Sequence, residues 1–226
     1  MSKTILITGA NGNLGQAVTR KFLDEGYKVI GVIAPGSNPN FIDSPKLDIH
    51  EVDLIKEEKT FELIGHLDEV EGAILTVGGF GMGTFEYTPL DKFEKMLKLN
   101  FTTAYNASRA VFKKLKNKGR GGQIVFIGTR PALEPSAGKG VVAYALSKRL
   151  VHYLSDILNE EAKDTQITSS VIVPSMIDTP QNRKAMPDAD FDKWVKPQTL
   201  ADNIYHLFTK SGKALRENVL KVYNQT

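Results

Sequence analysis

Tyr144 and Lys148 stand four residues apart in Ala143-Tyr144-Ala145-Leu146-Ser147-Lys148, inside a long helical pattern over about 143–163. That spacing puts both side chains on one helix face. An ammonium beside a phenol stabilises the phenolate and lowers the phenol pKa from about 10 toward the working range of a general acid. The pair therefore suits proton donation to a substrate. A second constellation lies near the start: Gly9-Ala10-Asn11-Gly12-Asn13-Leu14-Gly15, directly after the apolar run Thr4–Thr8 and directly before a helical pattern that stops at Gly26. Gly9 lets the chain turn off a strand, Gly12 lets backbone N–H groups approach a pyrophosphate, and Gly15 lets the helix sit close on the sheet. Asn11, Asn13 and Leu14 ride on the same turn. The helix that follows points its free N–H donors and partial positive charge at the phosphates.

Elements that could position these groups alternate along the whole chain. Strands are expected over 4–8, 28–33, 47–53, 71–77, 123–127, 167–173 and 218–223. Helices are expected over about 17–23, 57–67, 88–118, 143–163 and 200–210. The alternation argues for one α/β domain over 1–226, a Rossmann-type doubly wound parallel sheet with helices on both faces. Thr88-Pro89-Leu90-Asp91 reads as a helix start with Thr88 as N-cap. Gly78-Gly79 opens a second glycine-rich turn at the same sheet end as Gly9. Residues 128–142 read as a loop, and 174–198, with four prolines and the one tryptophan, as an irregular excursion of the kind that forms a substrate lid at about 175–198.

Composition narrows the chemistry. The 226 residues are 41% hydrophobic, enough for one substantial core. The absence of cysteine excludes disulfides and thiol catalysis, and fits a reducing, cytoplasmic setting. The four histidines lack ligand spacing, so no metal site is expected, and no run is long enough for a membrane helix. Net charge is only +3. The basic run Lys113, Lys114, Lys116, Lys118, Arg120 sits at a helix C-terminus, where cations complement the dipole, and no aromatic residue interleaves it; nucleic acid is not an expected partner.

Sites of this fold that choose NADH place an acid after the second strand, where it bonds the ribose 2′-hydroxyl and repels a 2′-phosphate. Here Ile33-Ala34 stand at that place, and the next acid along the chain is Asp43. Gly36-Ser37-Asn38 offers a hydroxyl, an amide and backbone N–H groups to a phosphate, but 34–45 holds no Arg or Lys to clamp it. Ala34 and Ser37 thus point to NADP(H) ahead of NAD(H), with a modest preference.

Taken together these motifs resemble the short-chain dehydrogenase/reductase family over the full length of the chain. The resemblance implies roles residue by residue. Tyr144 and Lys148 match the catalytic pair, with Lys148 also gripping the nicotinamide ribose. Asn100 matches the helix asparagine that organises a proton-relay water. Asp53 matches the aspartate that holds the adenine ring, and Pro174-Ser175-Met176-Ile177-Asp178-Thr179 the segment that meets the carboxamide, with Pro174, Ile177 and Thr179 as contacts. Gly128-Thr129 stands where the family has its catalytic serine, so Thr129 is the hydroxyl left to polarise a substrate. The glycines are spaced differently from the family's main branch.

A narrower resemblance, to the dihydropteridine reductases, lies in Asp178-Thr179-Pro180, Asn182-Arg183-Lys184, Met186-Pro187, Ala189-Asp190-Phe191 and Trp194. Val77-Gly78-Gly79-Phe80 and Gly128-Thr129-Arg130-Pro131-Ala132-Leu133 are similar as well. It implies reduction of a quinonoid dihydropteridine or a similar planar small molecule, Phe80 stacking on the flat ring, by a homodimer or homotetramer paired through helix 143–163. Asn100, absent from that group, keeps open a carbonyl or quinone reductase of the main branch. A non-catalytic NADP(H)-sensing regulator is the other class, against which the retained Tyr144 and Lys148 count.

Overall fold

The computed structural model describes residues 3–119, 121–215 and 219–225. Arg120 of the basic run and Asn218 of the last expected strand lie outside the described residues. The apolar, β-branched runs form seven strands: β1 (Thr4–Thr8), β2 (Lys28–Ile33), β3 (Leu47–Glu51), β4 (Gly72–Leu75), β5 (Gly122–Ile127), β6 (Ile167–Pro174) and β7 (Val219–Val222). They make one sheet in the order β3-β2-β1-β4-β5-β6-β7, every neighbouring pair parallel. The order reverses between β1 and β4, the switch point at which open α/β sheets bind their ligands, outside the carboxyl ends of the strands.

Helices cover both faces. On one, α1 (Asn13–Asp24) and α8 (Pro197–His206) lie over Ile5, Ile7, Val29 and Ile172, with Phe22 in edge-on contact with Tyr27, Tyr205 and Phe208. On the other, α2 (Glu57–His66), α4 (Thr103–Lys118) and α6 (Val142–Glu161) bury Leu6, Ile30, Phe112, Phe126 and Val151. Strands β1, β2, β5 and β6 are buried on both sides, which accounts for their unbroken apolar runs.

Three expectations need correction. The helix expected from Thr88 begins at Leu90 as α3 (Leu90–Leu97), with Pro89 at the N-cap. Thr88 does not cap it, because its hydroxyl donates to the Thr84 carbonyl at 2.6 Å. The same helix does not run evenly to Lys118: a π turn over Lys98–Thr102 separates α3 from α4 and carries Asn100. Finally, the two expected loops are partly helical. Residues 128–142 contain a 3₁₀ turn over Arg130–Ala132 and the short α5 (Pro135–Gly138), and 174–198 contains α7 (Pro180–Ala185) and a 3₁₀ turn over Phe191–Lys193.

Candidate active site

The first turn of α6 carries Tyr144, and the second carries Lys148. Lys148 is buried, and its Nζ donates to the Ile127 carbonyl at the end of β5 at 2.8 Å. Burial pulls its ammonium down to about 8. Tyr144 is half-buried as a side chain, yet its hydroxyl is desolvated enough that burial pushes the phenol above its ordinary value. The one group opposing that rise is the Thr129 side chain, hydrogen-bonded to the phenol. The expectation that Lys148 lowers the Tyr144 pKa is therefore corrected: the ammonium is engaged by Ile127, and Thr129 is the neighbour that favours the phenolate.

Asn100 ties the turn after β4 to α6. Gly79 N–H donates to its Oδ1 at 2.8 Å, and its Nδ2 donates to the Gly79 carbonyl and to Ser147 Oγ, both at 3.1 Å. Ser147 in turn donates to the Tyr144 carbonyl at 2.9 Å. The π turn makes this possible by placing a wholly buried Asn100 between the two elements. Gly78 has no room for a side chain, since a Cβ would lie 2.8 Å from Asn100 Oδ1 and 3.2 Å from Lys148 Nζ. The exposed ring of Phe80 stands 5.2 Å from that of Tyr144, edge-on at 71°. Thr129, Tyr144, Lys148, Asn100 and Gly78-Gly79 thus form one connected group.

The remaining site residues lie along the same carboxyl edge of the sheet. Gly9 adopts φ +65°, which glycine alone takes readily, and a Cβ on Gly15 would fall 2.0 Å from the Gly9 carbonyl oxygen. Gln16 Nε2 braces the turn through the Asn11 carbonyl at 2.8 Å. Helix α1 starts after Gly12 with no side-chain cap and no acid in its first turn. Its N–H groups are thereby left for an anion, and the turn fits the pyrophosphate of a dinucleotide. Asp53 follows β3, its Oδ1 accepting from Ile55 N–H at 3.1 Å, and Ser37 N–H closes a turn on the Ala34 carbonyl at 3.1 Å. These three stand at β2 and β3, on the far side of β1 from the Tyr144 group.

Pro174 ends β6, and the chain beyond it is fastened at both ends. Ile177 and Val195 form a parallel bridge, with Asp178 N–H donating to the Val195 carbonyl at 2.8 Å. Thr179 caps α7 through Asn182 N–H, while Arg183 grips Asp178 with two nitrogens and lies over the Phe191 ring. Asn224 Nδ2 donates to the carbonyls of Asp192, Lys193 and Trp194. Ser147, Asn224 and Gln181, whose Oε1 accepts from Asn13 Nδ2 at 3.3 Å, are residues around the site that sequence reasoning did not single out. Ser147 alone carried a local signal, being three residues from Tyr144 on the same helix.

Among the described residues no group of three His, Asp or Glu side chains is placed to hold a metal, and no helix is long and apolar enough to cross a membrane. The profile of the short chain dehydrogenase family matches residues 3–190. A dihydropteridine reductase of Dictyostelium discoideum is 30% identical over 221 residues, covering 93% of this chain and 90% of its own. The 3-oxoacyl-[acyl-carrier-protein] reductase MabA of Mycobacterium bovis is 25% identical over 185 residues, 81% of this chain and 72% of its own. The solved structure of ElxO with NADP bound superposes with a TM-score of 0.89 at 20% identity, covering 98% of this chain and 97% of that one.

Proposed function

The chain belongs to the short chain dehydrogenase family and is an NAD(P)-dependent oxidoreductase; on that premise we propose that it reduces a quinonoid dihydropteridine or a similar planar substrate. The observation that carries this reading is the edge-on Phe80–Tyr144 pair above the Tyr144, Thr129 and Lys148 group. It offers a flat ring an aromatic wall beside a proton donor. The 30% identity to a dihydropteridine reductase supports the same substrate class.

A bound nicotinamide dinucleotide supplies the hydride, with NADP(H) ahead of NAD(H). Ala34 and Ser37 favour that order, and the similar ElxO fold holds NADP. Gly9, Gly12, Asn13, Leu14 and Gly15 take the pyrophosphate, Asp53 the adenine, and Pro174, Ile177 and Thr179 the nicotinamide end. Tyr144 gives its hydroxyl proton to the reduced substrate and becomes a phenolate, which Thr129 steadies. Lys148 holds the nicotinamide ribose. Asn100 positions Gly78-Gly79 against it and organises the relay water.

Leu146, Leu150, Tyr153 and Ile157 form an exposed apolar stripe on α6, which supports a homodimer or homotetramer closed through that helix. The cysteine-free chain suits the cytoplasm. The assay is oxidation of NADPH and NADH against quinonoid dihydropterin, quinones and aldehydes. Fastest turnover is expected with dihydropterin. Turnover confined to aldehydes would move the chain to the carbonyl-reducing branch, and binding with no turnover on any panel member would make it a sensor.

A further inference from the structure

Glu51 is the last residue of β3, and its partner in the parallel register is Ile33, the last residue of β2. The chain leaves β2 through Ala34-Pro35-Gly36-Ser37, a turn in which Gly36 adopts φ +75°. Gly36 N–H donates to Glu51 Oε2 at 2.8 Å. Leu47 and Ile49 pack into the core beneath α1, and the two-residue alternation of a strand puts Glu51 on that same face. An acid therefore does stand at the corner where β2 ends. It comes from the neighbouring strand, where a count of acids along the chain after Ile33 does not find it. The expectation that Asp43 is the next acid to follow that place holds along the chain and not in space.

A carboxylate at this corner accepts a hydrogen bond from a ribose 2′-hydroxyl and repels a 2′-phosphate. Glu51 also occupies the Gly36 N–H, one of the backbone donors a phosphate would use. No Lys or Arg lies in 34–45, and Lys28, at the far end of β2, faces Asp48 at 3.9 Å. We infer that Glu51, delivered from β3 onto the Gly36 turn, is the residue that limits discrimination between NADPH and NADH. With Glu51 in place the 2′-phosphate form has to push the carboxylate off Gly36, which narrows the lead of NADP(H) over NAD(H) without reversing it. This rests on the proposed binding of the dinucleotide along the carboxyl edge, with its adenosine end at β2 and β3.

Calorimetric titration of the whole protein with NADPH, NADH, 2′,5′-ADP and 5′-AMP tests it, for wild type, Glu51→Gln and Glu51→Ala. Glu51→Gln keeps an acceptor for Gly36 N–H, so it preserves the turn while removing the charge. Both variants should bind NADPH and 2′,5′-ADP about tenfold more tightly, with NADH and 5′-AMP changed by less than about threefold. An unchanged ratio of the phosphorylated to the unphosphorylated ligands, in variants that still bind both, overturns the role of Glu51 alone. Failure of wild type to bind either dinucleotide overturns it together with the cofactor reading.

Discussion

Asn13 Nδ2 donates to Gln181 Oε1 at 3.3 Å, joining the phosphate-binding turn to α7 across 168 residues of chain. The segment after β6 is therefore already folded down onto the start of α1. Its own contacts, Arg183 on Asp178 and Phe191 and Asn224 on three consecutive carbonyls, hold it as a packed flap.

Bound cofactor and substrate should tighten that flap further. Trypsin cleavage at Arg183 and Lys184, both on the outer side of a segment with exposed residues, should slow with both ligands present. Gln181→Ala should cut faster than wild type in their absence. Equal cleavage rates with and without ligands would count against a closing segment.

Thr129→Val should lower kcat by about ten- to a hundredfold with little change in cofactor affinity. Thr129 opposes the burial that raises the Tyr144 pKa, so its loss should also move the alkaline limb of the kcat profile to higher pH. A profile unmoved on its alkaline side would show that Thr129 does not act on the phenol.

Asn100→Ala should destabilise the fold by about 1–3 kcal/mol, since it leaves the partly buried Gly79 N–H and carbonyl without their partner and takes one donor from the buried Ser147 Oγ. Denaturant unfolding measures this. The loss in kcat/KM should be larger than in stability, because the turn that faces Lys148 is released as well. A variant as stable and as active as wild type would remove Asn100 from the site.

Lys148 has its pKa depressed in the folded chain, from 10.5 to about 8. Below about pH 8 it is charged in both states and its burial costs stability. Between about 8 and 10.5 the folded state releases the proton while the unfolded state keeps it, so stability rises through that window. Wild type should accordingly gain on Lys148→Met, by up to about 3 kcal/mol, as pH goes from 7 to 10.5. Parallel unfolding curves for the two proteins across that range would contradict the burial of a titrating ammonium.

What could be read from the residues alone was local in sequence. The glycines at 9, 12 and 15 and the Tyr144–Lys148 step carry their meaning in spacing, because turns and helix faces are set by near neighbours. Asn100 was placed by resemblance, but its reach to Gly79 depends on a π turn inside a pattern that continues as a helix on both sides. Glu51 meets Gly36 only through the β2–β3 register, and Asn224 meets the flap only after β7 has joined β6. Those contacts belong to pairings between distant segments, which no window of sequence displays.

The most direct measurement is single-turnover reduction by Tyr144→Phe with quinonoid dihydropterin, alongside cofactor affinity in the same protein. Removing the hydroxyl leaves the ring, its contact with Phe80 and the cofactor cradle in place. The proposed proton donation predicts a loss of about a hundredfold or more in the chemical step, with the dissociation constant for cofactor within about twofold of wild type. Near-normal turnover in Tyr144→Phe would contradict it.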